Sequence, residues 1–208
     1  MSTPPGPELV LVRHGETSWT LTGQHTSRTD LPLTARGEAE ARALRSRLAG
    51  RSWSLILTSP LVRAERTAEL AGLRDAVVDA DLLEWDYGDY EGLTTSEIRA
   101  SVPGWTIWSG PWPGGETREQ VAARADRVVA RVRSCPSGAT AVAVGHGHIL
   151  RVLAARWLGD AAEAGARYAL DTASVSQLGW EHETAVIQLW NDRSHLAAGS
   201  GQPGATAT

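Results

Sequence analysis

Two uninterrupted apolar runs of strand length, Leu9-Val10-Leu11-Val12 and Ala141-Val142-Ala143-Val144, each end in polar groups. The first stops at Arg13-His14-Gly15, the second at Gly145-His146-Gly147-His148. Runs that never alternate suit strands buried on both faces, as in a parallel sheet covered by helices. Ser54 to Thr58 is a third such run, and Val77-Val78 is a weaker one. Ser174 to Trp180 and Thr184 to Trp190 alternate apolar and polar around Glu181-His182-Glu183, which predicts a hairpin at the edge of the sheet. Helical patterns fill the gaps. One is capped by Thr34 and runs to Ala49, with Gly50 as its stop. A second opens at Ser59-Pro60, with proline at the first helical position, and continues to Leu70. A third is capped by Thr117 and reaches Val132, and a fourth spans His148 to Leu158, stopped by Gly159. Strands alternating with helices predict an α/β fold: a three-layer αβα sandwich with a mostly parallel central sheet and an edge hairpin. The expected domain covers 9–196, between a flexible N-terminus over 1–8 and a flexible tail over 197–208, both rich in small and polar residues.

Composition removes several function classes. A chain of 208 residues is most simply one domain, and 42% hydrophobic with 21% charged residues describes a globular protein. The net charge of −4 argues against a nucleic-acid partner held by a broad basic surface. All 20 basic residues are arginine. Without lysine there is no Schiff-base catalysis, no Walker-A lysine and no kinase-type lysine. A single cysteine, Cys135, makes neither an internal disulfide nor a multi-cysteine zinc site. No run approaches the ~20 apolar residues of a membrane span, and the N-terminus lacks the pattern of a targeting signal. The expected location is the cytoplasm.

The residues at the strand ends carry the chemistry. In open parallel sheets ligands bind beyond the carboxyl ends of the strands. Arg13 and His14 lie there, one a permanent cationic fork and the other an imidazole that donates or attacks. Arg63, in the first turns of the helix after Ser59-Pro60, adds charge where a helix start already attracts anions. In Leu83-Glu84-Trp85-Asp86-Tyr87-Gly88-Asp89-Tyr90-Glu91 four acids are interleaved with aromatics. Burial there favours the protonated form of a carboxyl, and Glu84 is the candidate acid. Asp86, Asp89 and Glu91 read as capping or solvated groups. The Gly145-His146-Gly147-His148 stretch lacks the third glycine of a dinucleotide fingerprint, since position 150 is leucine. Two histidines at that spacing are also weak evidence for a metal. His25, His182 and His195 read as surface or structural residues.

Taken in order, RHGE, SPxxRAxxTA, LLEW…YGxYEG and GHG resemble the histidine phosphatase superfamily, whose best-known members are cofactor-dependent phosphoglycerate mutases. The resemblance covers roughly residues 9 to 190. EWDYGDYEGL, GGETREQV and GHGHILR look like a branch of small acid phosphatases and sugar bisphosphatases. The resemblance implies that His14 is the nucleophile, with Arg13, Arg63 and His146 around the phosphate oxygens. Glu84 would protonate the leaving alkoxide and then help a water attack phosphohistidine. Thr20, Thr26, Ser27, Tyr87, Gly147 and His148 fall where relatives contact phosphate or substrate. Neither a metal nor another cofactor is expected, and the partner is a small phosphorylated metabolite. The hairpin's edge is the candidate surface for a homodimer.

Mutase and phosphatase differ in what receives the phosphoryl group. Mutases of the family carry a longer basic insertion between the positions of Glu84 and His146. Here only 61 residues separate the two, and Pro103 to Gly115 has no basic residue. Thr20 stands where mutases usually have asparagine. Both departures favour water as acceptor, hence a phosphatase; a bisphosphoglycerate-dependent mutase is the alternative, and a non-catalytic phosphate-binding module, against which the intact set Arg13, His14, Arg63, Glu84 and His146 speaks, is the second. Trp105, Trp108 and Trp112 read first as packing that pins a loop over the sheet edge. The sharper reading makes them an aromatic lid. Arg28 or Arg118 is in reach of a second phosphate.

Overall fold

The computed structural model describes residues 6–197. Six strands form one sheet in the order β3-β2-β4-β1-β5-β6. They are β1 (Glu8–Arg13), β2 (Leu55–Thr58), β3 (Val77–Val78), β4 (Thr140–Gly145), β5 (Val175–Glu181) and β6 (Thr184–Asp192). The first four run parallel, while β5 pairs antiparallel with β1 and forms a hairpin with β6, the outer edge. Helices are α1 (Ser18–Thr22), α2 (Ala35–Leu48), α3 (Val62–Leu70), α4 (Thr95–Ser101), α5 (Arg118–Arg133), α6 (Gly147–Leu158) and α7 (Ser194–Ala197).

Side chains on a strand alternate between the faces of its sheet, so each apolar run supplies two cores at once. Leu9, Leu11, Ala141 and Ala143 face α5 and α6, packing with Val121, Val128, Ile149 and Leu153. Val10, Val12, Val142 and Val144 face α2 and α3, packing with Leu44, Leu48, Ala64 and Ala68. That is the expected sandwich.

Thr34, Thr117 and Gly159 act as the predicted helix signals. The threonine side chains accept from Gly37 N and Gln120 N, and Gly159 takes the left-handed conformation. The second helix departs from expectation. It begins at Val62, not Pro60, and Leu61 supplies no side-chain cap. Ser59 is held at the strand exit instead, its N–H on Val144 O. The cap comes from a distant residue: Asp30 Oδ1 accepts from Val62 N at 2.9 Å. The short helices α1, α4 and α7 carry no strong periodic signal and went unpredicted.

The predicted domain boundary also moves. Gly6 and Pro7 are buried, and Pro7 O accepts from the Trp180 indole at 2.9 Å. Residues 6–8 therefore belong to the packed domain, because the hairpin needs that carbonyl. The expectation for 1–5 and for 198–208 lies outside the described residues. Ala197 closes α7. Among the described residues no helix is long and apolar enough to cross a membrane.

Candidate active site

Adjacent strands β1 and β4 send the chain to opposite faces of the sheet, since β1 leads to α2 and β4 leads to α6. That divergence opens a crevice at their carboxyl ends. Arg13 ends β1, His14 follows it, and His146 follows β4 as the N-cap of α6. Backbone bonds fix the histidine: His14 N donates to Gly145 O and His14 O accepts from Ala173 N, each at 3.0 Å. The turn after His14 packs tightly on the first turn of α2. A Cβ on Gly15 would lie 2.4 Å from Gly37 O, and one on Gly37 would lie 2.1 Å from Glu16 O. Two glycines make this approach possible.

His14 is 4% exposed. Its Nδ1 lies 2.8 Å from Gly15 O, so this nitrogen carries the proton and Nε2 keeps its lone pair. Burial, then the charges of Arg63 and Arg13, hold the imidazole well below its ordinary titration range. The ring is a neutral base aimed by its own backbone.

Behind it lies a buried polar layer. The His146 ring meets His14 edge-on at 5.0 Å. Arg63, with no exposed surface, donates from Nε to His146 Nδ1 at 3.1 Å. With Nδ1 accepting, His146 donates from Nε2 to Ser59 Oγ at 2.7 Å. The other Arg63 nitrogens hold the carbonyls of Thr26, Ser27 and Thr29 at 3.1–3.3 Å. Asp30 reaches it only at 4.0 Å. Arg66 is the structural arginine, bridging Glu38 and Glu69.

Arg13 differs. It is half-buried, and one terminal nitrogen donates to Leu170 O. Its buried Nε has no partner among the described residues. A guanidinium with such an unanswered donor favours an arriving oxyanion.

Glu84 is 6% exposed and receives the first turn of α6. Oε1 accepts from Trp85 N and Ile149 N at 2.9 Å, and His148 N lies 3.1 and 3.0 Å from Oε1 and Oε2. The helix start therefore anchors the carboxyl group.

A cavity of about 180 Å³ joins these groups. Arg13, His14, Glu84, Thr20, Thr26, Tyr87, Gly147 and His148 line it. Arg63 and His146 lie in the layer behind it, and Ser27 is elsewhere engaged. Ser27 Oγ donates to Glu91 Oε2 at 2.5 Å, and Glu91 also accepts from Ser27 N and Thr29 N. Glu91 thus organises the loop that Arg63 grips. Its carboxylate is engaged within the fold, and its backbone N–H closes the short 3-10 turn over Gly88–Tyr90. The Tyr87 hydroxyl, which burial holds well above its usual titration range, lies 2.6 Å from His148 Nδ1. Burial, then the charge of Arg151, holds the His148 imidazole well below its ordinary range.

Sequence reasoning passed over Trp19, Gln24, His25, Arg151 and Leu170, which also line the cavity. His25, read as a surface or structural residue, is a wall of the site, its titration lowered to about 4, chiefly by burial. Trp105, Trp108 and Trp112 do not line the cavity. Trp112 stacks on Trp85 at 5.9 Å, Trp108 meets Trp85 edge-on at 5.8 Å, and the Trp105 indole donates to Pro111 O. They pack, as the first reading had it. A larger open groove of about 980 Å³ lies between α2 and α3, beside Trp53 and Val78, far from any nucleophile–base pair. Among the described residues no three His, Cys, Asp or Glu side chains group as metal ligands would.

The chain matches a family model described as histidine phosphatase superfamily (branch 1) over residues 9–193. An acid phosphatase of Mycobacterium tuberculosis is 41% identical over 197 residues, spanning 92% of this chain and 97% of the relative. A sedoheptulose 1,7-bisphosphatase of Saccharomyces cerevisiae is 36% identical over 185 residues, 74% of this chain and 68% of the relative. Among solved structures, a mycobacterial glucosyl-3-phosphoglycerate phosphatase in complex with VO3 superimposes with a TM-score of 0.77. Its identity is 33%, with 88% of this chain and 98% of that one covered.

Proposed function

The chain belongs to the histidine phosphatase superfamily (branch 1) and is a phosphoric monoester hydrolase. From that premise we propose that it cleaves small phosphorylated metabolites through a phosphohistidine on His14, without a metal ion. His14 Nε2 attacks phosphorus and the ester P–O bond breaks. Protonated Glu84 gives its proton to the departing alkoxide. Water then attacks the phosphorus of phosphohistidine, passing its proton to the Glu84 carboxylate, and the N–P bond breaks to free inorganic phosphate. The less encumbered Oε2 of Glu84, which meets a single N–H, is the atom that carries the proton. Phosphoryl transfer asks mainly for charge stabilisation and alignment. Arg13 offers unanswered donors to the oxygens, while Arg63 supplies charge from behind and fixes His146.

The observation that carries this reading is the His14 imidazole: neutral, with Nδ1 tied to Gly15 O and Nε2 free, next in the chain to Arg13, whose Nε is an unanswered donor. The acceptor is water because the chain lacks basic residues from 103 to 115 to enclose an intermediate. The test is hydrolysis of p-nitrophenyl phosphate in buffer with EDTA. Wild type turns over, His14→Ala does not, and rapid quench traps acid-labile phosphate on wild type only. Turnover by His14→Ala, or its loss with EDTA, overturns the mechanism.

A further inference from the structure

Among the described residues Arg151 is the one cavity cation that this chemistry leaves unused. It stands in the second turn of α6, with Nε donating to Gly165 O at 2.9 Å and Nη2 to Ala166 O at 3.1 Å. Its guanidinium lies 4.7 Å from the centroid of the Trp108 ring. Trp108 is itself wedged between Trp85 and the His148 ring. Two carbonyls and an indole face hold the guanidinium in one orientation, so little rotamer freedom remains to be lost on binding. Nη1 has no hydrogen-bond partner among the described residues, and no carboxylate lies within ion-pair distance. The cations first considered for a second anion are engaged elsewhere. Arg28 pairs with Asp86 at 2.6 Å, and Arg118 with Glu119 and Glu163. Neither lines the cavity.

We propose that Arg151 determines specificity by reading a second oxyanion on the substrate, a carboxylate or a second phosphoryl group, a short chain away from the reacting phosphate. This rests on the phosphatase reading of the same cavity. Among the described residues, the formal charges on its lining are Arg13, Arg151 and Glu84 alone. The reacting phosphate answers Arg13. A neutral leaving group, whether alkyl, base or plain sugar, leaves Arg151 unanswered in a partly desolvated wall, whereas a second anion pairs with it. The cavity, at about 180 Å³, is smaller than the roughly 300–1,000 Å³ of ordinary ligand pockets, which limits the spacer to a short chain.

The test compares kcat/KM of the full chain for ethyl phosphate, 2-phosphoglycolate and 1,3-propanediol bisphosphate, with p-nitrophenyl phosphate as a check on phosphatase activity. Wild type prefers one of the two anionic esters over ethyl phosphate by roughly tenfold or more, as a charge-assisted hydrogen bond would give. Which ester wins identifies the second anion. Arg151→Met abolishes that ratio through KM, and Arg151→Lys keeps part of it. A wild type without preference overturns the inference, and it needs no variant to fold. An Arg151→Met variant that lowers all esters together and keeps the ratio also overturns it, making Arg151 a strut for the loop at 165–166. If p-nitrophenyl phosphate and all three esters are inert, the phosphatase reading itself fails and takes this inference with it.

Discussion

Replacing Glu84 with glutamine separates the chemistry of the carboxyl from its place in the fold. Oε1 accepts from Trp85 N and Ile149 N, and it shares His148 N with Oε2. An amide whose oxygen occupies the Oε1 position keeps all three donors. Its NH₂ then takes the place of Oε2, 3.0 Å from His148 N, and meets that N–H donor to donor. His148 N still reaches the Oε1 position, so the cost stays within the about 1–3 kcal/mol of an unsatisfied buried donor. The amide has no proton to deliver. General acid help contributes about 10² to 10⁴ in rate, or about 2.7 to 5.4 kcal/mol at 1.36 kcal/mol per decade. That loss falls on esters whose alkoxide must be protonated and spares p-nitrophenolate, which leaves unaided. The assay is kcat/KM of wild type and Glu84→Gln on ethyl phosphate and on p-nitrophenyl phosphate, with urea denaturation of both proteins. An equal loss on the two esters would refute the acid role. A loss of stability of several kcal/mol would refute the hydrogen-bond reasoning.

Two further outcomes follow from the same geometry. His14, His25, His146 and His148 all titrate below their ordinary range, mainly through burial. The unfolded chain therefore binds more protons as pH falls below about 6.5, and each such histidine removes up to about 1.4 kcal/mol of stability per pH unit. Denaturation followed from pH 7 to 4.5 should show this decline, shallower by one proton in His25→Gln. Asp192, lowered to about 2, loses its contribution only below the ordinary aspartate range, outside that window. A flat profile would contradict the buried neutral histidines. Gly37→Ala puts a Cβ 2.1 Å from Glu16 O and should cost about 1–3 kcal/mol or more, read from the urea midpoint. A change under about 0.5 kcal/mol would show that the turn after His14 yields easily.

The strands and long helices were legible because their signals are local. An apolar run at strand length, a threonine before a helical period and a glycine after it act over a few residues, whatever the rest of the chain does. Motif order likewise exposed His14, Arg63, Glu84 and His146 as candidates. The start of α3 was not legible, because its cap is Asp30, remote in sequence. Ser27 shows the same limit: its hydroxyl looks available to a ligand until Glu91 is brought against it.

The sequence by itself determined the layered α/β framework and the residues at the carboxyl edge of the sheet, since periodicity and strand-end position are properties of short segments. Only the tertiary structure decided which of those residues face the cavity. Partner choice across long separations left Arg13 and Arg151 with open donors, turned Arg63 and His146 into a buried support, and made a wall of His25. Hydrogen bonds between distant segments fix which donors remain unanswered, and no local pattern encodes that remainder.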